Sequence, residues 1–212
     1  IFGGTGGMGT LTHQLLTERG YDSVALGSED ANIIDLSAVE GAIQKHQPDV
    51  VLNFAVYNAD GAVHKLNEDE VNKQVDVNIK GALNVLKASI NHMRPNNKGR
   101  IIFLSSVLSS NPVFGTAVYS ASKGFIDNLV KTASLENVKY GITVNSIQLG
   151  YFEAGLIHQV PQDILDSIIA KIPFKRLGKA EELVNALEFI IKTEYLTGVN
   201  LPLSGGLNLS SL

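Results

Sequence analysis

A chain of 212 residues that is 44% hydrophobic and 18% charged suits one globular domain or at most two, and excludes disorder. Its net charge of −4 argues against nucleic acid as a partner, which requires clustered Lys and Arg, and no apolar run approaches the roughly 20 residues of a membrane span. The absence of cysteine excludes disulfides, thiolate metal sites and a thiol nucleophile, and fits a cytoplasmic protein.

In chain order, residues 1–2 read as the end of a first strand whose beginning precedes Ile1. A glycine-rich turn follows and opens a helix over 8–19. Apolar runs at 23–26, 32–34 and 50–55 predict three more strands. Only residues 27–31 separate the first two of these strands, the second and third of the chain. That is too short for a crossover helix, which needs about a dozen residues, so a loop joins them. Ser37 and Glu40 have the spacing of a capping box before a helix over 37–46, and Pro48 marks its end. A long helix over 68–93, a strand over 100–104, a second long helix over 115–139 and a strand over 142–147 come next. Helices over 161–171 and 179–192 and a strand over 199–203 complete the chain. The alternation, with β-branched runs apolar at consecutive positions, predicts a single α/β domain over 1–212. Its core is a doubly wound, Rossmann-type parallel sheet of about seven strands in a three-layer αβα arrangement.

The turn reads Gly3-Gly4-Thr5-Gly6-Gly7-Met8-Gly9, placing glycines as Gly3-x3-Gly7-x-Gly9 between a strand and a helix. Glycine lets the backbone approach a pyrophosphate, and the helix N-terminus turns free N–H groups toward it. The plain alternative is a flexible turn. An acid about 20 residues on would grip the adenosine ribose, but the second strand ends Leu26-Gly27-Ser28. Ser28 and the missing acid leave space for a 2′-phosphate, which favours NADP(H) over NAD(H). Glu29 and Asp30 read as turn residues. Asp35 is either an acceptor for the adenine amino group or a cap beside Ser37.

Tyr119 and Lys123 stand four apart in a predicted helix and share one face. Ser106 ends the 100–104 strand region thirteen residues before Tyr119, and Asn78 lies inside the first long helix. Ligands of open α/β sheets bind beyond the carboxyl ends of the strands, which puts Ser106 at the mouth where a nicotinamide would lie. Taken singly, each has a bland reading: a core aromatic, a solvated lysine, a turn serine, an exposed helix asparagine. The five histidines, at 13, 46, 64, 92 and 158, lack metal-ligand spacing, so no metal is expected.

With Pro173-Phe174-Lys175-Arg176-Leu177-Gly178-Lys179-Ala180-Glu181-Glu182, Leu196-Thr197-Gly198 and Ser204-Gly205-Gly206, these motifs resemble a single-domain short-chain dehydrogenase/reductase over nearly the whole chain. The resemblance implies an NAD(P)(H)-dependent oxidoreductase that interconverts a carbonyl and an alcohol. It makes Tyr119 the acid/base, its pKa lowered by Lys123, which also holds the nicotinamide ribose. Ser106 donates to the substrate oxygen, and Asn78 kinks the long helix and anchors a water. The cofactor contacts implied are Gly3, Thr5, Gly6, Gly7, Met8, Gly9, Ser28, Asp35, Leu36, Asn53, Ala55, Val56, Tyr119, Lys123, Gly150 and Phe152. The substrate contacts are Ser106, Leu108, Tyr119 and Tyr151, under a lid over 151–172. There Phe152, Leu156, Ile157 and Val160 either wall an apolar pocket or pack on the core, and His158 is a surface residue. A small-molecule substrate is implied, and a homodimer or homotetramer built on the two long helices.

The chain also departs from that family. Asn53-Phe54-Ala55-Val56 stands for the usual Asn-Asn-Ala-Gly, Leu149-Gly150 for Pro-Gly, and Ala154 for a Thr that contacts the nicotinamide amide. Val56 suggests a reshaped pocket on the adenosine side. The short 27–31 link and the run from Pro48 to Tyr57 resemble the dTDP-4-dehydrorhamnose reductase type of sugar-nucleotide enzyme. A sugar-nucleotide epimerase or dehydratase is therefore one alternative, although that type carries a large C-terminal domain and only 89 residues follow Lys123. A non-catalytic cofactor sensor is another, although sensors typically lose the Tyr or the Lys and this chain keeps both.

Overall fold

The computed structural model describes residues 1–154, 157 and 160–209. Strands β1 (Val50–Asn53), β2 (Gly99–Ser106), β3 (Ile142–Leu149) and β4 (Asn200–Leu203) lie parallel in that order. Leu52 pairs with Ile102, Ile102 with Asn145, and Ile147 with Leu201. Beyond β1 the sheet continues through extended chain. Phe2 forms parallel bridges to Asn53 on one side and Leu26 on the other. The Phe2 N–H donates to the Leu52 carbonyl (2.9 Å), and the Leu26 N–H to the Ile1 carbonyl (2.9 Å). The first segment thus sits inside the sheet, as doubly wound topology requires. Four strands and two extended segments stand where about seven strands are expected.

The predicted strand at 32–34 is instead a turn. The Asn32 side-chain oxygen accepts the Ile34 N–H (3.1 Å), and the Asp35 N–H donates to the Asn32 carbonyl (3.0 Å). Asn84 then donates its amide to the carbonyls of Ile33 (2.9 Å) and Ile34 (3.0 Å). Backbone groups satisfied locally and by a helix side chain have no need of a ladder.

The helices are α1 (Gly7–Glu18), α2 (Leu36–His46), α3 (Glu68–Val75), α4 (Ala82–Met93), α5 (Ala117–Asn137), α6 (Gln162–Lys171) and α7 (Ala180–Lys192). α2 is capped by Asp35, which accepts the Ser37 N–H (2.9 Å), and not by the predicted Ser37–Glu40 box. An Asp caps as well as a Ser, and from Asp35 it reaches the N–H at the second helical position. The predicted helix over 68–93 is α3 and α4 joined by a π-helical turn, Asp76–Gly81.

Alternation along the strands divides the apolar residues between two layers. Ile101, Phe103 and Val144 pack with Val39 and Ile43 of α2, Val85 and Leu86 of α4, and Ile126 and Val130 of α5. Leu52, Ile102 and Ile147 pack on the opposite face with Leu16 of α1 and Leu183, Val184, Leu187 and Ile190 of α7. Full burial of each such side chain is worth roughly 1.5–3 kcal/mol, so these two layers carry the fold. A small third cluster joins Ile157, Ile172 and Leu177 beside Tyr151 and Val160. On the outer strand, the Ser146 and Gly150 N–H groups donate to the carbonyls of Val199 (2.9 Å) and Leu203 (3.0 Å). Residues 199, 201 and 203 therefore face β3, and Pro202 faces the open edge. Among the described residues, no helix is long and apolar enough to cross a membrane.

Candidate active site

The glycine loop follows Phe2 and leads into α1. Gly3 has φ +73°, and a side chain there would come within 2.5 Å of the Ala55 nitrogen. A Cβ at Gly9 would come within 2.2 Å of the Gly3 carbonyl oxygen, so loop and helix close on each other only through glycine. Gly6 is the N-cap of α1 and offers no side-chain cap, and the first turn carries no acid. Thr5, Gly6 and Gly7 are exposed and Met8 is half-buried. An uncapped, acid-free helix end of this kind leaves N–H groups to meet a phosphate, so the residues fit the pyrophosphate of a dinucleotide.

On the adenosine side, Ser28 is exposed. Asp30 turns back and accepts the Gly27 N–H (2.8 Å), a turn role as the sequence suggests. Asp35 is occupied as a cap, and Leu36 is half-buried behind it. Asn53 is buried at the end of β1, and its side chain accepts the Ala55 N–H (3.2 Å). The Phe54 ring is buried in the core, whereas Val56 is 41% exposed.

At the carboxyl end of β2, Ser106 is buried. Its hydroxyl accepts the Leu108 N–H (3.2 Å) and donates to the Leu149 carbonyl (3.5 Å), and it lies near enough to the Tyr119 phenol to act on it. Tyr119 and Lys123 stand one turn apart on α5, with the Lys123 Nζ 5.6 Å from the Tyr119 ring centroid. That ammonium is buried and donates to the Leu104 carbonyl (2.8 Å). Burial pushes the Tyr119 phenol above its ordinary value; Ser106 opposes this, and the charges of Asp60 and Tyr151 add to it. The net shift of this phenol is upward, not the lowering the sequence suggests, and the Lys123 ammonium is turned to the Leu104 carbonyl. Lys123 itself is lowered to about 8 by burial, with Asp127 acting against that.

Asn78 lies in the π-helical turn, buried. Its side chain accepts the Tyr57 N–H (2.8 Å), donates to the Tyr57 carbonyl (2.8 Å) and reaches the Ser122 hydroxyl (3.3 Å). It thus ties the chain after β1 to α5 at Ser122, next to Lys123 in the chain, and the wide turn is the backbone's accommodation of that clamp. The four predicted catalytic residues converge on the carboxyl end of β2. The structure brings Tyr57, Ser122 and Asp60 near them, and Asp127 lies one turn beyond Lys123.

The Gly150 N–H bonds the Leu203 carbonyl (3.0 Å). Tyr151 and Leu108 are half-buried at the site's rim. The Phe152 ring is buried against Gly178 in the core, which leaves any cofactor contact to its main chain. Ile157 and Val160 pack in the third cluster and not as an open wall. Leu156 and His158 lie outside the described residues.

Residues 29–208 match the family model described as enoyl-(acyl carrier protein) reductase. The acetoacetyl-CoA reductase of Cupriavidus necator is 29% identical, over 99% of this chain and 97% of its own length. The (3R)-3-hydroxyacyl-CoA dehydrogenase of Canis lupus familiaris is 30% identical, over 91% of this chain and 80% of its own length. The solved structure of ElxO with NADP bound has a TM-score of 0.87 at 20% identity, covering 98% of this chain and 96% of that one, a likeness of fold. These relatives favour oxidoreduction over the sugar-nucleotide and sensor readings. Sequence, fold and relatives agree that the chain belongs to the short-chain dehydrogenase/reductase family and is an NAD(P)-dependent oxidoreductase interconverting a carbonyl and an alcohol.

Proposed function

We propose that this protein reduces the keto group of a 3-oxoacyl thioester with NADPH, and that Tyr119 gives the proton. The observation that carries this reading is the gathering of Ser106, Tyr119 and Lys123 at the carboxyl end of β2, with Lys123 Nζ 5.6 Å from the Tyr119 ring and burial favouring the protonated phenol. A protonated phenol beside a serine hydroxyl suits donation to an oxygen that gains charge as a carbonyl is reduced. The bound nicotinamide supplies the hydride. Lys123 holds the nicotinamide ribose and, as an ammonium, favours the phenolate left on Tyr119 after proton transfer. Asn78 keeps the wall opposite α5 in place through Tyr57.

Preference for NADP(H) is supported by the strand end at Gly27 and Ser28, where Asp30 is turned away into its own turn. Val56 narrows the adenosine side. The substrate class is supported by the names of both relatives, each of which acts on an acyl-CoA carrying a 3-oxo or 3-hydroxy group. Residues 151–172 form the substrate lid, with Tyr151 at the site. The protein works in the cytoplasm as a homodimer or homotetramer joined through α4 and α5.

Absorbance of NADPH with acetoacetyl-CoA, set against NADH and against simple ketones, tests the reading. Turnover confined to simple ketones rejects the thioester. Tyr119→Phe should lower turnover by roughly 10²–10⁴-fold while NADPH affinity stays within about threefold. Near-normal turnover by that variant removes Tyr119 from the mechanism.

A further inference from the structure

α5 carries a second buried charge one turn beyond Lys123. Asp127 follows it by four residues on the same face, and each residue is 6% exposed. The carboxylate is held in a fixed place. The Gln148 amide donates to Asp127 Oδ2 (2.7 Å) and, with its other proton, to the Ser109 hydroxyl (3.1 Å). The Ser146 hydroxyl lies 3.3 Å from Asp127 Oδ1 and 2.8 Å from the Asn200 side-chain oxygen, while the Asn200 amide donates to the Asp127 carbonyl (3.2 Å). Gln148 pairs in register with Ser105, whose hydroxyl donates to the Lys123 carbonyl (3.3 Å). A frame from β3, β4 and the turn after Ser106 thus fixes one carboxylate against α5.

A buried ammonium needs a compensating charge. Around Lys123, β2 offers the neutral Leu104 carbonyl. The π-helical turn offers the neutral Asn78, and α5 offers Tyr119 and Asp127. Asp60, on the loop after β1, acts on Tyr119 and Tyr151. We propose that Asp127 is a positioning residue: its clamped carboxylate is the counter-charge that keeps Lys123 an ammonium inside a closed site. The opposing effects of burial and Asp127 on Lys123 agree with this.

The inference rests on the role given to Lys123 above, so its test reads Lys123 directly as well as activity. The side-chain carbon resonance of Lys123, assigned by comparison with Lys123→Arg, is followed against pH in the whole protein. Asp127→Asn keeps the shape and removes the charge. Its Lys123 midpoint should fall by about one pH unit, and the alkaline limb of turnover should move down with it. At pH 6, turnover should stay within about threefold of the parent. Asp127→Glu should keep the midpoint within about 0.3 units. If Asp127→Asn does not fold, Asp127→Ser carries the same expectation. An unmoved midpoint overturns the proposal, even where turnover falls equally at every pH. A moved midpoint with an unmoved alkaline limb upholds the counter-charge and rejects the role assigned to Lys123.

Discussion

At the scale of single residues, the site depends on where protons and side-chain atoms are kept out. Tyr119 stays protonated because its surroundings are poor in water, and Lys123 tends to lose its proton for the same reason. The pair therefore favours proton donation below about pH 8 and weakens above it. The glycine loop applies exclusion to shape. In Gly9→Ala the new methyl meets backbone, not a yielding side chain. We expect at least a tenfold loss of NADPH affinity by fluorescence titration, with the far-ultraviolet circular dichroism unchanged; unaltered affinity would show that the loop tolerates the shift. Tyr119, Lys123, Ser106 and the glycines were legible in the sequence because their spacing relative to a strand end and a helix start is itself the signal. Asp60 and Asp127 were not. Asp60 reaches the site only through the fold, and Asp127, although one helical turn beyond Lys123, shows its partners on β3 only once the chain is folded.

At the scale of elements, the strands could be read where β-branched residues run together, as at Val50, Val51, Ile101 and Ile102, since both sheet faces are covered. Ile33 and Ile34 look the same in sequence. They form a turn because Asn32 and Asn84 supply their hydrogen bonds, and Asn84 lies fifty residues away. The π-helical turn was hidden for a like reason: Asn78 widens its helix by holding Tyr57, twenty-one residues earlier. Asp35 has two readings that one substitution separates. Asp35→Ala removes the cap of α2 and should cost about 1 kcal/mol in urea unfolding. A drop in NADPH affinity beyond that would give Asp35 the adenine contact as well.

At the scale of the whole molecule, α1 and α7 are fastened by charges as well as by their apolar seam. Glu188 of α7 takes hydrogen bonds from Lys192, Arg19 and Tyr21, and Glu182 takes a paired bond from Arg176. These partners hold both carboxylates at about 2, below the ordinary 4.5. Groups depressed in the folded state stabilise it fully above the ordinary value, and that stability is lost as pH falls toward the folded one. The melting temperature should therefore drop between pH 4.5 and 2. Glu188→Gln should flatten part of that drop in a differential scanning series; an identical slope in the variant would assign the acid limb elsewhere.

Pro202 gives this layout a further meaning. The outermost strand turns toward solvent, at that position, a residue with no N–H. A foreign strand laid along this edge would find an acceptor without its neighbouring donor, and the ladder would break at once. The sheet is therefore closed at this edge by chemistry, and copies of the protein that meet along β4 do so through side chains, not by lengthening one another's sheets.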